Sequence, residues 1–166
     1  MTLTGPFYHG SYEYFPIGSR LSGRGAEYHE EWSLLGHYEA LHHHKPEDCL
    51  AHRDAVFMCS EIWDIHRCGG ATETVALLKP EGPVTRHDLE WSNAIIMLLN
   101  EGRGLDDPDV RDACLAYWTG EATGDPLWEF LTPAARVLAV ADWDDPDAEE
   151  ILGEFWEGTI EAAPAP

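Results

Sequence analysis

The stretch Gly5-Pro6-Phe7-Tyr8-His9-Gly10-Ser11 is where the reading of this chain begins. Its paired aromatics predict a short strand over Phe7-Tyr8, and His9-Gly10-Ser11 predicts the turn that follows. Gly18, Gly23 and Gly25 then predict a loop around Arg20-Leu21. Trp32, Leu35, Tyr38 or Glu39, and Leu41 recur at helical spacing, so residues 29–44 predict a helix that Pro46 stops. Ala55-Val56-Phe57-Met58-Cys59 and Thr74-Val75-Ala76-Leu77-Leu78 are short apolar runs of buried-strand type. Between them, Ser60 predicts the N-cap of a short helix through His66, closed by Gly69-Gly70.

In the second half, Trp91, Ala94, Ile95, Leu98 and Leu99 form the stripe of a helix over 89–99. Asp107-Pro108 predicts a capped helix reaching Trp118, and Asp145-Pro146 repeats that signature before Ile151 and Phe155. Arg136 to Val140 predicts a third strand. There is no internal repeat and no linker, so the fold class expected is α+β, one domain over 1–160 with a disordered tail over 161–166.

The 166 residues suffice for a core of their own, and 44% hydrophobic residues with seven Trp indicate a globular chain. A net charge of −21 would repel phosphates, which disfavours a nucleic-acid partner. No run of about 18 apolar residues spans a membrane. Met1-Thr2-Leu3-Thr4-Gly5-Pro6 lacks a signal-peptide pattern, and the expected location is the cytoplasm. Cys49, Cys59, Cys68 and Cys114 make no CxxC pair and read as reduced, buried thiols. His37, His42, His43, His44 and nearby His52 do not fall at metal-ligand spacing, and no metal is expected; they read as a solvent-facing patch.

The opening segment resembles the Tyr-His-Gly-Thr/Ser motif of the ADP-ribosyltransferase superfamily, His-Tyr-Glu type, and is most similar to the small rifamycin ADP-ribosyltransferases. The resemblance continues in order through 55–59, through Leu77-Leu78-Lys79-Pro80-Glu81-Gly82-Pro83-Val84, and through Trp128-Glu129-Phe130-Leu131-Thr132-Pro133-Ala134-Ala135-Arg136-Val137-Leu138. Together these cover somewhat less than half of the chain. It implies a split β-sheet core with added helices and NAD+ as co-substrate. The implied activity is mono-ADP-ribosyl transfer to a protein or small-molecule acceptor. NAD+ hydrolysis by the same fold, or a catalytically weak NAD+-binding or protein-interaction module of that fold, are the alternatives.

The chemistry that the resemblance implies breaks the nicotinamide–ribose bond through a transition state with oxocarbenium character. Nicotinamide leaves neutral, so the site must fix the ribose, grip the carboxamide and offset positive charge. The implied roles place His9 on the adenosine ribose, Gly10 and Ser11 at the cofactor, and Phe57 against the nicotinamide ring. Phe57 stands where tyrosine is commoner and keeps only the stacking face. The third motif is expected after Gly82-Pro83. An ungapped match gives His87, a shift of one gives Asp88, and Glu90 follows; Asp88 is preferred as the catalytic carboxylate, although it also reads as a helix cap. Arg20 and Arg24 are candidates for the NAD+ diphosphate. Residues 28–52 and 93–126 have no counterpart in the compact relatives and leave the acceptor open.

Overall fold

In a computed structural model, the structure describes residues 2–27, 30, 35–156 and 159–161. The strands in chain order are β1 (Thr2–Thr4), β2 (Phe7–Ser11), β3 (Arg20–Ser22), β4 (Val56–Met58), β5 (Thr74–Pro80), β6 (Thr85–Asp88), β7 (Trp128–Thr132), β8 (Ala134–Asp142) and β9 (Thr159–Glu161). The helices are α1 (Gly36–His43), α2 (Glu90–Asn100), α3 (Pro108–Trp118) and α4 (Ala148–Gly153). The fold is mixed α and β, and every strand pair is antiparallel.

The apolar run at β5 is the centre of a four-stranded sheet of order β2-β5-β8-β3. A second sheet has order β4-β7-β6, and β1 pairs with β9 apart from both. Period-two alternation sorts the side chains. Val56, Met58 and Phe130 pack with Phe7, Ala76, Leu78 and Val137, joining the two sheets face to face. Leu131 and Phe57, of opposite parity, pack under α1, α2 and α3 with Leu41, Ile95, Tyr117 and Trp118. The outer face of the larger sheet, Val75, Leu77 and Ala139, takes Ala148 and Leu152 of α4.

Several sequence expectations shift here. His9-Gly10-Ser11 is not a turn: β2 runs on, with His9 opposite Ala76 and Ser11 opposite Thr74. Arg20-Leu21 is an edge strand beside β8, where Gly18, Gly23 and Gly25 predict a loop. The helix expected over 29–44 is described from Gly36 onward, and residues 28–29 and 31–34 lie outside the described residues. After Ser60 there is a 3-10 turn at Ile62–Asp64 with no side-chain cap. Asp107 caps α3 as expected, accepting from Asp109 N–H, but α4 starts after Asp147 and not at Pro146. Glu161, expected in the tail, pairs with Thr2; residues 162–166 lie outside the described residues. No helix among the described residues is long and apolar enough to cross a membrane.

Candidate functional site

The two larger sheets touch edge to edge at one bridge. Tyr8 N–H donates to Cys59 O at 2.8 Å, and Cys59 N–H donates to Tyr8 O at 2.9 Å. Continued pairing would set His9 against Met58 and Gly10 against Phe57, but β2 and β4 part instead. The wedge between them is a cavity of about 360 Å³, in the size range of small-molecule sites. Its walls include His9, Gly10 and Ser11 from β2, Phe57 and Met58 from β4, and Glu129 from β7. Ile65 and Gly69-Gly70-Ala71 close one side, and Arg24 and Tyr38 also line it.

His9 Nδ1 lies 2.7 Å from Phe57 O. A carbonyl only accepts, so Nδ1–H donates and Nε2 is the ring's acceptor. Burial holds the imidazole below its usual pKa, against the pull of that hydrogen bond, so His9 is neutral. The split thus presents a fixed tautomer.

Gly10 shares strand parity with Tyr8, so its N–H and C=O point to the same edge, beyond the bridge and toward the wedge. Its missing side chain serves another contact: a Cβ would overlap Ala71 O and Ile65 Cγ2. The close approach expected of a ligand there is made by the protein's own loop, and only the backbone edge faces the cavity.

Glu129 is the residue that sequence reasoning missed. It is 2% exposed and lies opposite His87 in the β6–β7 register. Tyr117 Oη–H donates to Glu129 Oε1 at 2.6 Å. Burial pushes the Glu129 carboxyl up to about 7, while the tyrosine hydroxyl pulls the other way by favouring the ionised form. A single acid within the apolar run Leu127-Trp128-Glu129-Phe130-Leu131 was the available signal, because a buried carboxylate requires a partner or a purpose.

The structure brings His9, Gly10, Ser11 and Phe57 together and leaves Asp88 and Arg20 outside the cavity lining. Asp88 is enclosed in a clasp. Its Oδ1 accepts from Glu90 N–H at 3.0 Å and Leu127 N–H at 2.9 Å; its Oδ2 accepts from Thr123 N–H and Oγ1–H, each at 2.7 Å. Four donors occupy the carboxylate, an arrangement that suits the helix-cap reading of Asp88 and leaves no part of it on the cavity lining. His87 is equally engaged, donating from Nδ1 to Tyr117 O at 2.9 Å and accepting at Nε2 from Thr85 Oγ1 at 2.8 Å. Burial lowers its pKa to about 4. Glu90 accepts from Asn93 and lies 3.9 Å from Arg67. Arg20 and Arg136 both engage Glu81 on the surface. Of the two arginine candidates, Arg24, 3.2 Å from Glu27, lines the cavity and Arg20 does not.

Two smaller expectations divide the same way. His52 leaves the histidine patch and is buried against Phe57 and Trp118. Cys49, Cys59 and Cys114 are buried free thiols; Cys68 is half-buried. No group of three metal-ligating side chains occurs among the described residues. The chain matches no protein-family model, no curated protein and no solved structure, so the site is read from its own geometry.

Proposed function

We propose that the protein is an NAD+-dependent mono-ADP-ribosyltransferase, with the wedge between β2 and β4 as its NAD+ site. The observation that carries this reading is the convergence of His9 and Gly10 from one sheet with Phe57 and Glu129 from the other. Two antiparallel sheets joined at one bridge also suit the split-sheet core that the sequence resemblance implies.

In this reading the Gly10 backbone edge holds the carboxamide and Phe57 packs on the nicotinamide ring. His9 Nε2 accepts from a ribose hydroxyl. The ribose–nicotinamide bond breaks with its electron pair going to nicotinamide, and the acceptor closes on the same ribose carbon, its proton passing to solvent. Glu129, in the role expected of Asp88, offsets the positive charge that develops between these events. Only its ionised form does so, so turnover declines as pH falls through about 7. The Arg24–Glu27 pair is exposed and weak enough to exchange for a diphosphate.

Labelled NAD+ tests this reading. Transfer to an added protein or small-molecule acceptor supports it, free ADP-ribose alone marks a glycohydrolase, and binding without turnover marks an NAD+-binding module. NAD+ at a hundredfold over its Kd stabilises the fold by about 2.7 kcal/mol, and His9→Ala weakens that response. Folded protein whose melting ignores millimolar NAD+ overturns the proposal.

A further inference from the structure

Behind Glu129 lies a row of buried polar groups that the proposed reaction does not use. Tyr117 and His52 are both buried and neither is part of the cavity lining. Tyr117 Oη is 2.6 Å from Glu129 Oε1, and His52 Nε2 is 2.8 Å from Tyr117 Oη. Tyrosine carries one hydroxyl proton. With Glu129 ionised that proton points to Oε1, so His52 must present Nε2–H to the tyrosine oxygen. The histidine ring is clamped by stacks on Phe57 at 5.6 Å and Trp118 at 4.8 Å. Tyr117 is clamped by His87, stacked at 4.8 Å. Simple burial of Glu129 needs neither the order of this row nor its direction.

We propose that Tyr117 and His52 are positioning residues for Glu129: Tyr117 holds Oε1 so that the other carboxylate oxygen serves the cavity, and His52 fixes the direction of the tyrosine's donation. The proposal rests on the wedge being the NAD+ site. A donated hydrogen bond favours the ionised carboxylate, so the pair also keeps Glu129 ionised at lower pH than burial alone would allow. The titratable groups around Glu129 are His87 opposite it on β6, Cys59 just beyond β4, and Tyr8, His9, Arg24, Tyr38 and Cys68 on the lining of the same cavity. All of them stay unchanged in the variants below.

The test follows the Glu129 carboxyl carbon by NMR in 13C-glutamate-labelled protein, assigned against Glu129→Gln, beside the pH profile of NAD+ turnover. Tyr117→Phe keeps the ring stack and loses the hydroxyl; both inflections are expected to rise by about one pH unit or more. His52→Leu raises them by less, and His52→Gln, which retains an N–H donor, returns them toward wild type. If Tyr117→Phe does not fold, the two His52 variants decide the matter by the same readouts. Unchanged inflections in folded Tyr117→Phe, or equal profiles for His52→Leu and His52→Gln, overturn the proposal. Absence of NAD+ turnover in the wild type defeats the functional reading instead, and the NMR titration still reports on the positioning.

Discussion

Asp88 and Glu129 are two carboxylates on neighbouring strands, 0% and 2% exposed, and they do opposite work. Asp88 pairs with Trp128 and Glu129 with His87 in the β6–β7 register, a one-residue offset that puts them on opposite faces of the sheet. On one face, four donors converge on Asp88 and stitch residues 123 and 127 to the start of α2. On the other, Glu129 meets the Tyr117 hydroxyl and an open cavity. Equal burial therefore does not make equal carboxylates. Donor supply decides whether a buried acid is a clasp or a group poised near neutral pH.

The comparison breaks most visibly at Asp88. Asp88→Ala leaves its donors without an acceptor, at about 1–3 kcal/mol for each buried one, so a total loss of about 4 kcal/mol is expected by urea denaturation. Asp88→Asn turns an amide against Thr123 N–H and costs about 2 kcal/mol. A variant as stable as wild type would show that the clasp is unimportant.

Glu129 has the opposite sign. Its folded pKa of about 7 lies above the reference of 4.5, so the native state binds the extra proton and stability falls as pH rises across that window. Glu129→Gln does not titrate. Its advantage over wild type grows from nil near pH 4.5 to about 3 kcal/mol at pH 8, at about 1.4 kcal/mol per pH unit. Equal stability at pH 8 would contradict the raised pKa.

Gly10 sharpens the comparison from the side of the wedge. Gly10→Ala collides with Ala71 O and Ile65, an overpacking expected to cost about 2 kcal/mol and to displace the edge that faces the cavity. Its NAD+ response in a thermal melt should fall with its stability. A stable variant with full response would show that the Ala71 loop yields freely.

The last effect concerns acid. Burial holds His52 at about 3 and His87 at about 4, both below the ordinary 6.5. The unfolded chain takes these protons and the fold refuses them, so stability is lost as pH falls from 6.5 toward 4, partly offset by Glu129. His87→Gln should flatten that acid limb by about 1.4 kcal/mol per pH unit in melts between pH 6 and 4.5. An unchanged slope would place His87 outside the acid response.

The parts of the fold legible in the sequence were those with a local cause. Asp107-Pro108 announced α3, the stripe Trp91–Leu99 announced α2, and the apolar runs at 56–58 and 74–78 announced β4 and β5. What stayed illegible depends on distant partners. Arg20-Leu21 becomes a strand only because β8 offers an edge. His52 looked like one of a surface cluster, because its burial is decided by Trp118 and Phe57. His9, Gly10 and Phe57 could be singled out from motif context. Glu129 could not be told from its neighbours by alternation, since both faces of β7 are covered and both parities carry apolar residues. Asp88 stands out in the sequence because a carboxylate can offset positive charge, one position from the ungapped match at His87, while Thr123 and Leu127, which complete the clasp, lie some 35 residues on.

The most direct test measures NAD+ turnover and NAD+ affinity together in Glu129→Gln and Asp88→Asn, each shown to be folded. The expected result is that Glu129→Gln loses roughly a hundredfold or more in kcat with Kd for NAD+ nearly unchanged, because the lost interaction belongs to the transition state. Asp88→Asn is expected to keep kcat and lose stability. Full turnover in Glu129→Gln, with loss confined to Asp88→Asn, would contradict the assignment and return the catalytic role to Asp88.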